Sequence, residues 1–112
     1  MKTEVKQENN STVIDVSGSL DALTAPELSK VLLGQIAAGN ANLVVSLIGV
    51  EFMSSAGLRT LLGAVKEARS NGGDLRIASA NVGVDKVLKM SGFHNIAKVF
   101  PSPAEAVSSF GS

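Results

Sequence analysis

The passage Phe52-Met53-Ser54-Ser55-Ala56-Gly57-Leu58-Arg59 is where this sequence gathers groups that can do chemistry. Adjacent hydroxyls, Ser54 and Ser55, stand between an apolar run, Leu43-Val44-Val45-Ser46-Leu47-Ile48, and a helical stripe beginning at Leu58. A serine just before a helix sits as an N-cap, its oxygen accepting from the free N–H groups of the first turn. Ser55 is read in that position. A phosphate added there faces those donors and the positive end of the helix dipole, so a doubly negative group is held without disrupting the helix. Small neighbours, Ala56 and Gly57, leave the approach open, and Arg59, one turn on, carries a guanidinium suited to bidentate phosphate recognition. From spacing alone, the plain reading of both serines is a helix cap, and that of Arg59 a solvated surface residue.

Other chemistries find less support. A serine nucleophile needs a base oriented by a third group, yet His94 is the sole imidazole and the turn lacks the first glycine of a nucleophile elbow. His94 follows a helix end at Gly92-Phe93, where a surface or dipole-facing role fits. There is no cysteine, no metal-ligand spacing and no Gly-x-x-x-x-Gly-Lys-Ser/Thr loop, so no enzyme activity, cofactor or metal is expected. Lys plus Arg number 10 and Asp plus Glu number 10, which leaves no net field to attract nucleic acid or an anionic membrane. The polar start and the absence of a long apolar run give a soluble cytoplasmic protein, with no membrane insertion, as the expectation.

The elements that must position the serines follow from periodicity. Runs 3–8 and 12–17 flank the turn-forming Asn9-Asn10-Ser11 and read as an N-terminal hairpin. Thr24-Ala25-Pro26-Glu27 has the form of a capping box, opening a helix on the stripe Leu28, Val31, Leu32, Ile36 that stops at Gly39-Asn40. Residues 43–48 are apolar and rich in β-branched types, as in a central strand buried on both faces. A loop is expected at 49–53, then a helix starting near 56 through Leu58, Leu61, Leu62 and Val65 to Asn71-Gly72-Gly73, then a strand 74–79. Strand, helix, strand with short connections is a right-handed βαβ unit with parallel strands. Val84, Val87, Leu88 and Ser91 line a further helix, residues 97–100 a brief strand, and Ser102-Pro103-Ala104-Glu105 a second capping box before a last helix reaching Phe110. The fold class is α/β: one domain over 1–112, a mixed sheet of about four to five strands packed by about four helices. In such sheets functional sites gather at the carboxyl ends of the strands, where the Ser54-Ser55 turn falls.

The stretch 43–58 resembles the signature of the STAS domain of bacterial anti-sigma-factor antagonists, in which a strand ends in a loop with the pattern Asp/Ser-Ser-Ser/Thr/Ala-Gly-Leu. The likeness extends to Gly18-Ser19-Leu20-Asp21-Ala22-Leu23-Thr24-Ala25, Met90-Ser91-Gly92-Phe93 and Phe100-Pro101-Ser102. It implies that Ser55 is the phosphorylated serine and that Asp21 is the family's acidic residue in the loop after the second strand; with Ser54, Ala56, Gly57 and Arg59 of the serine turn they make up the expected partner surface. It further implies that the unphosphorylated form binds an anti-sigma-factor serine kinase and frees a sigma factor for transcription, a phosphoserine phosphatase reversing the mark. Related domains also serve lipid-transport ATPases and stress-signalling assemblies, the alternative for this chain. Two departures stand out: Ser46 and Ser54 occupy positions where many members carry Asp, which makes Ser54 a second candidate acceptor. Asp21 has a plainer reading too, shaping the turn into the first helix.

Overall fold

A computed structural model describes residues 1–111 of the chain. Its elements run β1 (Lys2–Glu8), β2 (Ser11–Leu20), α1 (Ala25–Ala37), β3 (Asn42–Met53), α2 (Ser55–Ser70), β4 (Asp74–Ala78), α3 (Val82–Met90), a 3-10 turn (Phe93–Asn95), β5 (Val99–Phe100) and α4 (Pro103–Ser108). The sheet has five strands in the order β1-β2-β3-β4-β5, with β1 antiparallel to β2 and all later neighbours parallel. This is the α/β mixed sheet expected from the sequence. Successive crossovers of one hand, always stepping the same way across the sheet, put their helices on the same face. Accordingly Leu28, Leu32 and Ile36 of α1, Leu61, Val65 and Ala68 of α2, and Val84 and Leu88 of α3 share one core with Ile14, Leu43, Val45, Leu47, Leu75 and Ile77. The opposite face carries a smaller cluster in which Ala106 and Val107 of α4 cover Val13, Val44 and Ala78.

The hairpin forms about Asn9, whose φ of 54° is the left-handed conformation that asparagine tolerates. β3 is central, as its composition required, with Leu43 to Leu47 fully buried, while Ile48 at its end is 73% exposed. The loop expected at 49–53 is instead the second half of β3. Parallel pairing with β2 continues to Leu20↔Met53 across register shifts between Asp15 and Ser17 and between Gly18 and Ser19. Such bulges bend a strand without ending it. Gly49 permits the pinch, since a Cβ there would lie 2.5 Å from the Ser17 Cβ.

The first capping box is not formed. Thr24 sits at the N-cap, but its hydroxyl donates to Ser19 C=O at 2.8 Å and accepts from Asp21 N–H at 3.0 Å, and makes no cap bond to α1. The tight turn out of β2 competes for the same oxygen and wins. Ser102 does cap α4, accepting from Glu105 N–H at 3.3 Å, and Asn81 caps α3, accepting from Val84 N–H at 2.8 Å.

Candidate functional site

Ser54 and Ser55 lie where β3 gives way to α2, at the carboxyl end of the central strand. Their roles differ by one position from the expectation. Ser54, with extended φ −93° and ψ 175°, is the N-cap, and Ser55 is the first helical residue. Ser54 N–H donates to Leu20 C=O at 2.9 Å, locking the turn onto the end of β2, and Leu58 N–H closes the first intrahelical bond on Ser54 C=O at 3.1 Å. Having been turned toward β2, Ser54 presents a buried Oγ without a hydrogen-bond partner among the described residues, and it makes no side-chain cap bond. Ser55 points out and is exposed. The adjacent hydroxyls therefore differ in access: a macromolecular catalyst can reach Ser55, whereas Ser54 needs the turn to open. The N–H groups of the first turn are claimed by neither side chain, so they remain available to an anion on Ser55.

Gly57 makes this geometry possible. A Cβ on it would stand 2.6 Å from Leu20 Cγ and 3.0 Å from Leu20 C=O oxygen, so only glycine lets α2 approach the end of β2 so closely. Ala56 is half-buried, and Arg59 is exposed with no ion pair or hydrogen bond among the described residues.

Asp21 follows directly on Leu20 and so reaches the same end of the sheet as Ser54. Its Oδ1 accepts from Leu23 N–H at 2.9 Å and Thr24 N–H at 3.2 Å. The turn-shaping role is thus observed, and its half-buried carboxylate also adds negative charge to the rim of the site.

Sequence reasoning missed an apolar rim. Leu23 is 90% exposed in the turn after β2, Phe52 56% exposed near the end of β3, and Val82 88% exposed as the first residue of α3, after β4. β2, β3 and β4 are parallel neighbours, so all three residues stand at the end of the sheet that carries Ser55. Asn81 ties the α3 start to the central strand by donating to Val50 C=O at 2.9 Å. The signal was present in the sequence, as these apolar residues fall outside the helical stripes. Among the described residues they are three of eight large apolar side chains left exposed, the others being Val5, Leu33, Ile48, Met90 and Ile96.

His94 lies elsewhere. Its Nε2 is 2.9 Å from Asp85 Oδ1, and neither serine hydroxyl hydrogen-bonds to it. Burial tends to raise the Asp85 carboxyl, but the His94 and Lys89 contacts outweigh it and hold the group below its ordinary value. Among the described residues no cluster of His, Cys, Asp or Glu could hold a metal, and no helix is long and apolar enough to cross a membrane.

The turn thus shows one serine to solvent at the carboxyl end of a mixed sheet, the end at which Leu23, Phe52 and Val82 are also exposed. The profile of the STAS domain matches residues 2–106, and the chain belongs to that family. It is similar to the anti-sigma-B factor antagonist of Bacillus subtilis, 26% identical over 99 residues, 88% of this chain and 90% of the relative. The crystal structure of an anti-sigma factor antagonist from Mycobacterium paratuberculosis superimposes with a TM-score of 0.88 at 24% identity, covering 96% of this chain and 92% of that one. The anti-sigma factor antagonist SpoIIAA is solved in its unphosphorylated form, with a TM-score of 0.82 at 19% identity, covering 97% of this chain and 96% of that one. Its phosphorylated form, from Bacillus, gives a TM-score of 0.76 at 19% identity, with 97% and 99% covered.

Proposed function

We propose that this chain, acting as one STAS domain over 1–112, is an anti-sigma-factor antagonist switched by phosphorylation of Ser55. In the unphosphorylated form the end of the sheet bearing Leu23, Phe52, Val82 and the Ser55 turn docks on an anti-sigma factor that is also a serine kinase, and so frees a sigma factor in the cytoplasm. Phosphorylation of Ser55 by that kinase ends the contact, and a phosphoserine phosphatase restores it. The protein is a binding partner and a substrate in this cycle, not a catalyst.

The observation that carries the reading is the contrast between the adjacent hydroxyls, Ser55 exposed on the apolar rim and Ser54 buried behind it. A phosphoserine brings about −1.5 to −2 charges at neutral pH. Placed beside Asp21 and among side chains that must be desolvated for docking, that charge acts by repulsion and by the cost of burying an ion. The α2 N-terminus bonds the phosphate in the free protein, so no change of fold is needed.

The test is affinity. With the kinase recovered from the native host on the immobilised wild-type chain, calorimetry should show tight binding of wild type. Phosphorylation, or Val82→Asp on the rim, should weaken it by at least about tenfold, or 1.4 kcal/mol. Equal affinity for the phosphorylated and unphosphorylated chains would exclude the switch.

A further inference from the structure

We propose that β1 is a homodimerisation edge, pairing antiparallel with β1 of a second copy about a two-fold axis through Val5. Among the described residues β1 hydrogen-bonds to β2 alone, so its outer edge keeps a row of free N–H and C=O groups. No helix covers it, since six of its seven residues are exposed and Thr3 alone is half-buried.

The sequence of this edge complements itself. Lys2-Thr3-Glu4-Val5-Lys6-Gln7-Glu8, laid antiparallel on its own copy with Val5 opposite Val5, sets Lys2 against Glu8 and Glu4 against Lys6, each twice by symmetry. The alternation of side chains keeps these charges on one face and Thr3, Val5 and Gln7 on the other. Adjacent registers that keep this alternation are penalised. A slip of two residues one way opposes Lys6 to Lys6 and Glu4 to Glu8, and the other way opposes Glu4 to Glu4 and Lys2 to Lys6. Opposite charges directly across a strand pair stabilise it and like charges destabilise it, so one register is singled out. Lysines on an edge ordinarily deter pairing. Alternated with glutamates in this order, they favour pairing with a second copy of the same strand.

The monomer pairs only one of these four charges. Lys6 reaches Asp15 at 3.2 Å, while Lys2, Glu4 and Glu8 make no ion pair among the described residues. Glu4 stands directly opposite Asp15 in the hairpin register, a like-charge pair. The second copy would bring its Lys6 to the other side of Glu4. Two sheets would join into one, and because the paired strands are antiparallel, the Ser55 turns would face opposite ends of the assembly. The dimer would thus offer both switch surfaces at once, unobstructed.

The test uses the full chain and needs no kinase, so it fails or succeeds independently of the switch. Sedimentation equilibrium should show a shift from 11.5 kDa toward twice that mass as concentration rises to about 1 mM, and the shift should shrink with added salt. The double variants Lys2→Glu/Lys6→Glu and Glu4→Lys/Glu8→Lys should each remain monomeric and dimerise when mixed, a pattern that loss of folding does not produce. Because the chain has no cysteine, Val5→Cys should oxidise to a covalent dimer, whereas Thr3→Cys should not. In the proposed register the two Thr3 positions are separated by about four residues of strand, about 14 Å, beyond disulfide reach. A monomer throughout, or cross-linking through Thr3→Cys as efficient as through Val5→Cys, would overturn the proposal.

Discussion

Helix α2 contains two glycines, Gly57 and Gly63, and the same substitution should move stability in opposite directions at the two sites. Alanine is a better helix former than glycine by about 1 kcal/mol. Gly63 is exposed and a Cβ there meets nothing within 4 Å, so Gly63→Ala should gain most of that amount. At Gly57 the added Cβ would lie 2.6 Å from Leu20 Cγ and 3.0 Å from Leu20 Cδ2 and C=O oxygen. The side chain can yield, but the carbonyl is the acceptor for Ser54 N–H at 2.9 Å, so relief there loosens the bond that fixes the serine turn. Overpacking of this kind costs about 1 to 3 kcal/mol, with loss of the buried hydrogen bond adding about 1 kcal/mol more. After subtracting the helix gain, Gly57→Ala should be destabilised by about 1 to 3 kcal/mol. Urea denaturation of wild type and both variants gives the comparison at constant m-value. If Gly57→Ala proved as stable as Gly63→Ala, the close packing of α2 on β2 that presents Ser55 would be wrong.

Val45→Asp and Leu47→Asp should each unfold the protein, because both side chains are fully buried in the main core and an unpaired buried carboxylate costs several kcal/mol; a wild-type melting curve for either would refute the core placement. Asp21→Ala should lose about 1 to 2 kcal/mol in denaturant titration, since it removes the acceptor for Leu23 and Thr24 N–H, whereas an unchanged midpoint would mean that the turn holds itself. The depressed Asp85 carboxyl contributes stability that is present above the unfolded value of about 3.9 and is lost as pH falls through the lower folded value. Asp85→Asn should therefore flatten the acid limb of the stability profile below about pH 4, and coincident profiles would contradict the pairing with His94 and Lys89.

The parts of this fold legible in the sequence are those set by local periodicity and composition. The β-branched apolar run Leu43 to Leu47 suits a buried strand and the stripe through Leu61 and Val65 a helix, and both form as expected. What was not legible depends on which tertiary partner claims a polar group. Residues 49–53 remain a strand because bulges in β2 keep the register, and Gly49, which reads locally as a turn, is there for close approach. Thr24 has the spacing of a cap, yet Ser19 C=O and Asp21 N–H take its hydroxyl. The serine turn is a similar case. Spacing alone does not rank Ser54 against Ser55, since the difference arises from the bond between Ser54 N–H and Leu20 C=O, residues 34 positions apart. The candidate site itself was reached through the family likeness, because a serine before a helix is by itself an ordinary cap. The rim of Leu23, Phe52 and Val82 emerges only once the parallel order of β2, β3 and β4 aligns the ends of three strands.

If Ser55 is the switch, the phosphate must be found on it. Wild type, Ser54→Ala and Ser55→Ala should be incubated with the cognate kinase and ATP and the modified residue identified by mass spectrometry. Neither serine makes a cap bond, so neither alanine should cost more than about 0.5 kcal/mol, less than the usual loss for a working cap, and all three proteins should be folded. Phosphate is expected on Ser55 in wild type and in Ser54→Ala, and none in Ser55→Ala. Phosphate on Ser54 in the wild type, or none on either serine with a kinase proven active, would contradict the Ser55 switch.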